Sequence, residues 1–180
     1  MPLTLPRALL ALPLAVLPCA TLALELDAPG LRDGGPIPMA HINATMGCTG
    51  LNISPALTWT NPPAGTQSFA VSIHDPDAPT GSGWWHWVVF DIPATTRALA
   101  AGESGHLSAP ALESRTDFGT PGYGGPCPPQ GAAPHRYIIR IHALDVPTLG
   151  LDAEAMPALV GYMVNAHSLG SASLTALYGR

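Results

Sequence analysis

The chain has 180 residues, 47% of them hydrophobic and 11% charged, enough for one domain with a substantial core. It contains no lysine, and its arginines are scattered through a chain of net charge -5. No basic patch is present, which argues against a nucleic-acid partner, whose phosphates need clustered Lys and Arg.

Residues 1–23 have the layout of a secretory signal peptide. Met1 to Arg7 holds one positive charge, Ala8 to Val16 is almost wholly apolar, and Thr21-Leu22-Ala23 offers a cleavage site. The expected mature part is a single domain over residues 24–180, exported to the periplasm or the exterior. A retained anchor is the competing reading, but Pro13 and Pro18 interrupt the run, which falls short of the roughly 20 residues a span needs. A lipoprotein at Cys19 would need a small residue where Pro18 stands. No other stretch could span a membrane. Cleavage would remove Cys19 and leave Cys48 and Cys127. An even count in an oxidising compartment favours one disulfide; two separate buried thiols are the alternative.

Leu24 to Leu26 predicts an edge strand, followed by a loop that Pro36 and Pro38 keep from being helical. Ala56 to Asn61 predicts a short strand with Leu57 and Trp59 on one face. Ser68 to His74 alternates: Phe69, Val71 and Ile73 point one way, Ala70, Ser72 and His74 the other. One step further, Asp75 falls on the apolar face. Trp84 to Asp91 predicts a strand apolar on both sides, with His86, Val88 and Phe90 on one face and Trp85, Trp87 and Val89 on the other. Such a strand lies buried between two layers.

Ala94 to Thr116 has little pattern and reads as a connection with at most one short strand. Gly119 to Pro134 is a Gly/Pro-dense loop, and long loops of this kind in compact domains are usually functional. His135 to Ala143 alternates again, with His135, Tyr137, Ile139 and Ile141 on the apolar face. Ala155 to His167 predicts a helix with Met156, Leu159, Val160, Met163 and Val164 at helical spacing. Ala172 to Tyr178 is a weak strand. Many short strands and one late helix imply a mainly β fold: an antiparallel two-sheet β-sandwich with Greek-key connections and a peripheral C-terminal helix.

Three strands carry an apolar face that ends in a polar group: Asp75, His86 and His135. If they line one core, a carboxylate and two imidazoles meet at its rim, the usual form of a ligand site. Each has a plainer role available. Asp75 and Asp77 sit in turn-starting positions, and either histidine could be an ordinary strand residue. Two histidines and a carboxylate could hold a metal. They also suit an anion, with backbone N–H groups of Gly124-Gly125-Pro126 completing the cradle. A hydrolase would need a nucleophile, for which Ser82 or a reduced Cys127 is the candidate.

Asp75-Pro-Asp-Ala-Pro79, Trp84-Trp-His-Trp-Val-Val-Phe90 and the run Gly122 to Tyr137 together resemble the phosphatidylethanolamine-binding protein family. The similarity is greatest to its bacterial, Raf-kinase-inhibitor-like branch. Asn52 to Trp59 and Asp117 to Pro126 match that branch too. The resemblance implies an antiparallel sheet packed on a second sheet with a C-terminal helical element. It implies a small pocket for phosphate-like anions at Asp75, His86, Pro129, His135 and Tyr137, with Trp84 as a wall. It also implies a Cys48–Cys127 disulfide. Gly81-Ser82-Gly83 stands where eukaryotic members carry a tyrosine, and Cys127 where they carry a glycine.

The function this implies is non-enzymatic binding of a small anionic ligand, without a cofactor or resident metal. His86 and His135 would act as donors, so affinity would fall as pH rises through the imidazole range near ~6.5. A protein inhibitor of a protease or kinase acting through its surface is one alternative. A metal-dependent or phosphoester hydrolase is another. A homodimer stays open.

Overall fold

The computed structural model describes residues 22–180; the expected leader lies almost wholly outside them. Two antiparallel sheets face each other. The smaller holds β1 (Glu25–Asp27), β2 (Leu57–Thr60) and β5 (Ala98–Leu99) in the order β1-β2-β5. The larger holds β3 (Ser68–Asp75), β4 (Trp84–Pro93), β6 (Leu112–Glu113), β7 (His135–Leu144) and β8 (Ser168–Tyr178) in the order β6-β4-β3-β7-β8. From β6 at one edge the chain crosses to β7, on the far side of β3. The expected connection therefore holds two short strands, β5 and β6, rather than one.

Alternation decides the layers. Leu57 and Trp59 on β2, Phe69, Val71 and Ile73 on β3, and Tyr137, Ile139 and Ile141 on β7 are buried together between the sheets. The opposite face of the larger sheet carries Ala70, Val88, Phe90 and Leu144, and these pack under α1 (Pro157–His167) through Val160 and Val164. β4 thus lies between two apolar layers, as its composition requires.

The helix begins two residues later than predicted. Pro157 occupies its first turn, where a missing N–H costs nothing. Met156 and Leu159, expected on its apolar face, are exposed instead. Among the described residues no helix is long and apolar enough to cross a membrane.

Two irregularities in the β3–β4 ladder reset the faces. Ile73 pairs with Trp87 but His74 pairs with Trp85, so His86 is the extra residue of a bulge. The bulge corrects the expected face of His86. It does not sit with Val88 and Phe90 under the helix; it is turned to the other side, against the Tyr137 ring on β7. Re-aiming one side chain is a common consequence of a bulge. The second irregularity lies between Phe69 and Val71. There Asp91 takes φ 56°, and its buried carboxylate accepts from the Thr148 hydroxyl at 2.7 Å and the Leu149 amide at 2.8 Å.

The last strand is longer than its sequence suggests. β8 starts at Ser168, directly after the helix, and pairs with the whole of β7 from His135↔Tyr178 to Leu144↔Ser168. Its outer edge is partly occupied. Gly34 N–H donates to Thr175, Ile37 N–H to Leu177, and Leu177 N–H to Gly35. The Asp33 carboxylate accepts from the Thr175 amide at 2.8 Å.

Candidate functional site

The ends of β3, β4 and β7 converge on a cavity of about 320 Å³. Asp75, Trp84, His86, Pro129, His135 and Tyr137 all line it. Its remaining wall includes Met46, Phe118, Cys127 and Arg180. A mostly apolar cavity with a few convergent polar groups is the general form of a small-molecule site.

Asp75 is buried at the end of β3. One carboxylate oxygen, Oδ1, accepts from the amides of Asp77 at 2.9 Å and Ala78 at 3.1 Å. The other, Oδ2, takes Nδ1–H of His135 at 2.7 Å. Both the expected turn role and the expected convergence are therefore filled by one side chain. The contact fixes the His135 ring, and no partner to its Nε2 occurs among the described residues. Asp77 anchors the same loop from outside. Its carboxylate accepts from Nε and Nη2 of Arg136 at 2.9 and 2.7 Å, and from the Arg136 amide. The side-chain hydrogen bonds from Arg136 are the main reason its carboxyl is held down to about 2.

His86 is almost fully buried. Its Nδ1–H donates to the Gly124 carbonyl at 2.6 Å, and the Gly124 amide donates back to the His86 carbonyl at 2.9 Å. Burial pulls the imidazole down to about 4, against the opposing pull of the Gly124 carbonyl and of Asp75. At neutral pH this ring is uncharged. That corrects the expectation that His86 supplies a charged donor. Tyr137 and Phe118 meet the ring edge-on, with centroids at 5.1 and 5.5 Å. Trp84 stands against Phe118 in turn, at 5.4 Å.

Tyr137 supplies the most informative atom. The residue is 1% exposed, and its hydroxyl has no hydrogen-bond partner among the described residues. Burial raises its phenol well above the usual range, so the group stays an O–H donor. A buried polar atom left unpaired is uncommon in a native fold and calls for a reason.

The Gly124-Gly125 amides do not line an anion cradle. The Gly124 amide is spent on His86, and the Gly125 amide donates to the Asn52 carboxamide at 2.7 Å. These glycines serve close approach instead. A Cβ on Gly124 would lie 2.2 Å from the Phe118 ring, and one on Gly125 would lie 2.3 Å from the His41 carbonyl.

One wall follows from a covalent link. Cys48 and Cys127 form a disulfide with Cα atoms 5.9 Å apart, in line with the pairing the resemblance implies. Arg180 bridges the same two loops: its Nε donates to Pro128 O at 2.7 Å and its Nη1 to Gly47 O at 2.9 Å. Sequence reasoning missed Arg180, Phe118 and Met46. Arg180 was legible only as an isolated cation far from any motif. Phe118 lies within the Asp117–Pro126 match, so its proximity had a signal.

Ser82 does not line the cavity, and Cys127 is committed to the disulfide. Neither named nucleophile is therefore available there. Among the described residues, no group of three or more His, Cys, Asp and Glu could hold a metal ion. His74, His142 and His167 lie away from the cavity: His74 stacks on Trp85 at 4.3 Å, and the others bond to Ser168 and Asp145.

Comparison with known proteins gives the same architecture a lineage. The model for phosphatidylethanolamine-binding proteins matches residues 28–179. The chain belongs to the phosphatidylethanolamine-binding protein family. Among curated relatives in this family, the Escherichia coli protein YbhB is 51% identical over 158 residues, covering 86% of this chain and 99% of YbhB. Its Escherichia coli relative YbcL is 44% identical over 160 residues, covering 87% of each chain. The crystal structure of YbcL, described as a new member of the mammalian family, superposes with a TM-score of 0.86 at 42% identity, over 88% of this chain and 99% of that one. The family homologue CT736 from Chlamydia trachomatis superposes at 0.75 with 28% identity, over 88% of this chain and 98% of that one.

Proposed function

We propose that this family member is a non-enzymatic, exported binding protein whose cavity takes the phosphoryl group of a small anionic ligand. The observation that carries the proposal is the buried Tyr137 hydroxyl, unpartnered among the described residues, on a cavity that His135 also lines. The Tyr137 hydroxyl is a donor without a protein acceptor among the described residues. In the imidazolium form, paired with Asp75, His135 offers a charge-assisted bond to an oxyanion. Arg180 adds fixed positive charge on the same cavity. An acceptor-rich, negatively charged group of phosphate size satisfies all three. The disulfide accords with export, since such bonds persist in oxidising compartments.

Binding rather than turnover is the better fit. The polar groups hold a ligand but place no activated nucleophile against it: Ser82 lies off the cavity and Cys127 is oxidised.

Calorimetric titration with inorganic phosphate and phosphoethanolamine tests the site. Saturable binding is expected, lost in His135→Ala. No heat from the unmodified protein, or undiminished heat from His135→Ala, would overturn it. Fractionation of producing cells tests export: recovery of the full-length chain in the cytosol with both thiols free would contradict it.

A further inference from the structure

Besides the donors of Tyr137 and Arg180 and of His135 in its imidazolium form, the cavity holds a bare acceptor. The Gly124 carbonyl can only accept, so its 2.6 Å contact places the His86 proton on Nδ1. Nε2 is left with a lone pair, and no partner to it occurs among the described residues. The ring is clamped in this orientation. The reciprocal Gly124 amide bond fixes its backbone, and Phe118 and Tyr137 hold its faces edge-on. A ring flip would abandon the buried Gly124 carbonyl.

An anion whose oxygens carry no hydrogen would set lone pair against lone pair at this atom. Resting on the phosphoryl-binding reading, we propose that His86 makes the pocket select anions that bring their own donor hydrogen. The donor is either an acid phosphoryl P–O–H or the ammonium of a head group lying beside the phosphate. His86 is then a specificity residue that rejects donorless anions of the same size and charge. Leaving a buried acceptor unpaired costs about a tenfold to hundredfold loss of affinity.

The test uses the unmodified protein and two matched pairs of ligands. At pH 7 inorganic phosphate retains a proton, whereas sulfate, of like shape, has none. Methyl 2-aminoethyl phosphate and its N-trimethyl counterpart are both zwitterionic diesters, and only the first has a donor hydrogen. Titration should show at least about a tenfold preference for the donor-bearing member. A preference confined to phosphate over sulfate assigns the P–O–H source. A preference confined to methyl 2-aminoethyl phosphate assigns the ammonium source; either supports the inference. Equal affinity within both pairs overturns it and leaves phosphoryl binding standing. No binding of any of the four removes phosphoryl binding and this inference together. Long-range proton–nitrogen spectra read the same claim without ligand. His86 should be a neutral Nδ1–H ring at pH 7, and an Nε2–H or doubly protonated ring would refute the inference.

Discussion

Replacing Tyr137 by Phe should make the ligand-free protein more stable and bind its ligand less well. The ring is 1% exposed, and it meets His86 edge-on with centroids 5.1 Å apart. The substitution therefore keeps the packing and removes one oxygen. That oxygen has no partner among the described residues, so its burial costs about 1–3 kcal/mol of desolvation with nothing returned. Deleting it should raise the unfolding free energy by roughly 1 kcal/mol, after allowing for the small gap it leaves. The same deletion removes a donor from the cavity, which should weaken phosphoryl binding by about tenfold. Urea unfolding followed by tryptophan fluorescence reads the first effect, provided the slope of the transition is unchanged. Calorimetry reads the second. A loss of stability in Tyr137→Phe would show that the hydroxyl is already satisfied, and the case for it as a waiting donor would fail.

The Cys48–Cys127 link closes a separation of 79 residues, so the chain-entropy model gives it about 4–5 kcal/mol. The double Ser variant should show a fall of up to that size in thermal or urea unfolding, and an unchanged midpoint would contradict it. Burial holds His86 and His142 at about 4, whereas in the unfolded chain both titrate near ~6.5. The unfolded chain therefore binds more protons between those values, and stability present above ~6.5 drains away as pH falls toward 4. The loss is on the order of 3 kcal/mol for His86, and urea midpoints flat across this window would refute it. Gly125→Ala forces a methyl against the His41 carbonyl at 2.3 Å, a backbone atom that cannot swing aside. It should destabilise by about 1–3 kcal/mol; wild-type stability would show that the two loops separate freely.

The long strands were legible because period-2 alternation is set by burial alone. Phe69, Val71 and Ile73 face the core, as do His135, Tyr137, Ile139 and Ile141. The same rule brought Asp75 and His135 to one place. It failed at His86, because alternation assumes an unbroken ladder. The bulge depends on the pairing of β4 with β3, which no local pattern encodes. The length of β8 was hidden for a related reason. Ser168-Leu169-Gly170-Ser171 shows no apolar alternation and takes its strand geometry from β7, not from its own composition. The roles of Gly124 and Gly125 were misread because a glycine that offers its amide and one that yields room for a neighbour look alike in sequence. Arg180 was beyond reach: its partners Gly47 and Pro128 are set by the tertiary fold.

The segment from Asp33 to Ile37 has a meaning for solubility. β8 is the outermost strand of the larger sheet, and a bare strand edge is a template on which other chains can add. Many proteins guard such edges with lysine, and this chain has none. Here backbone takes over that duty. Gly34, Ile37 and the Asp33 carboxylate occupy the ladder positions of Thr175 and Leu177, so a second copy finds them already taken. Shortening this segment would expose the edge beside the candidate site, and self-association would be the first symptom, ahead of any loss of fold.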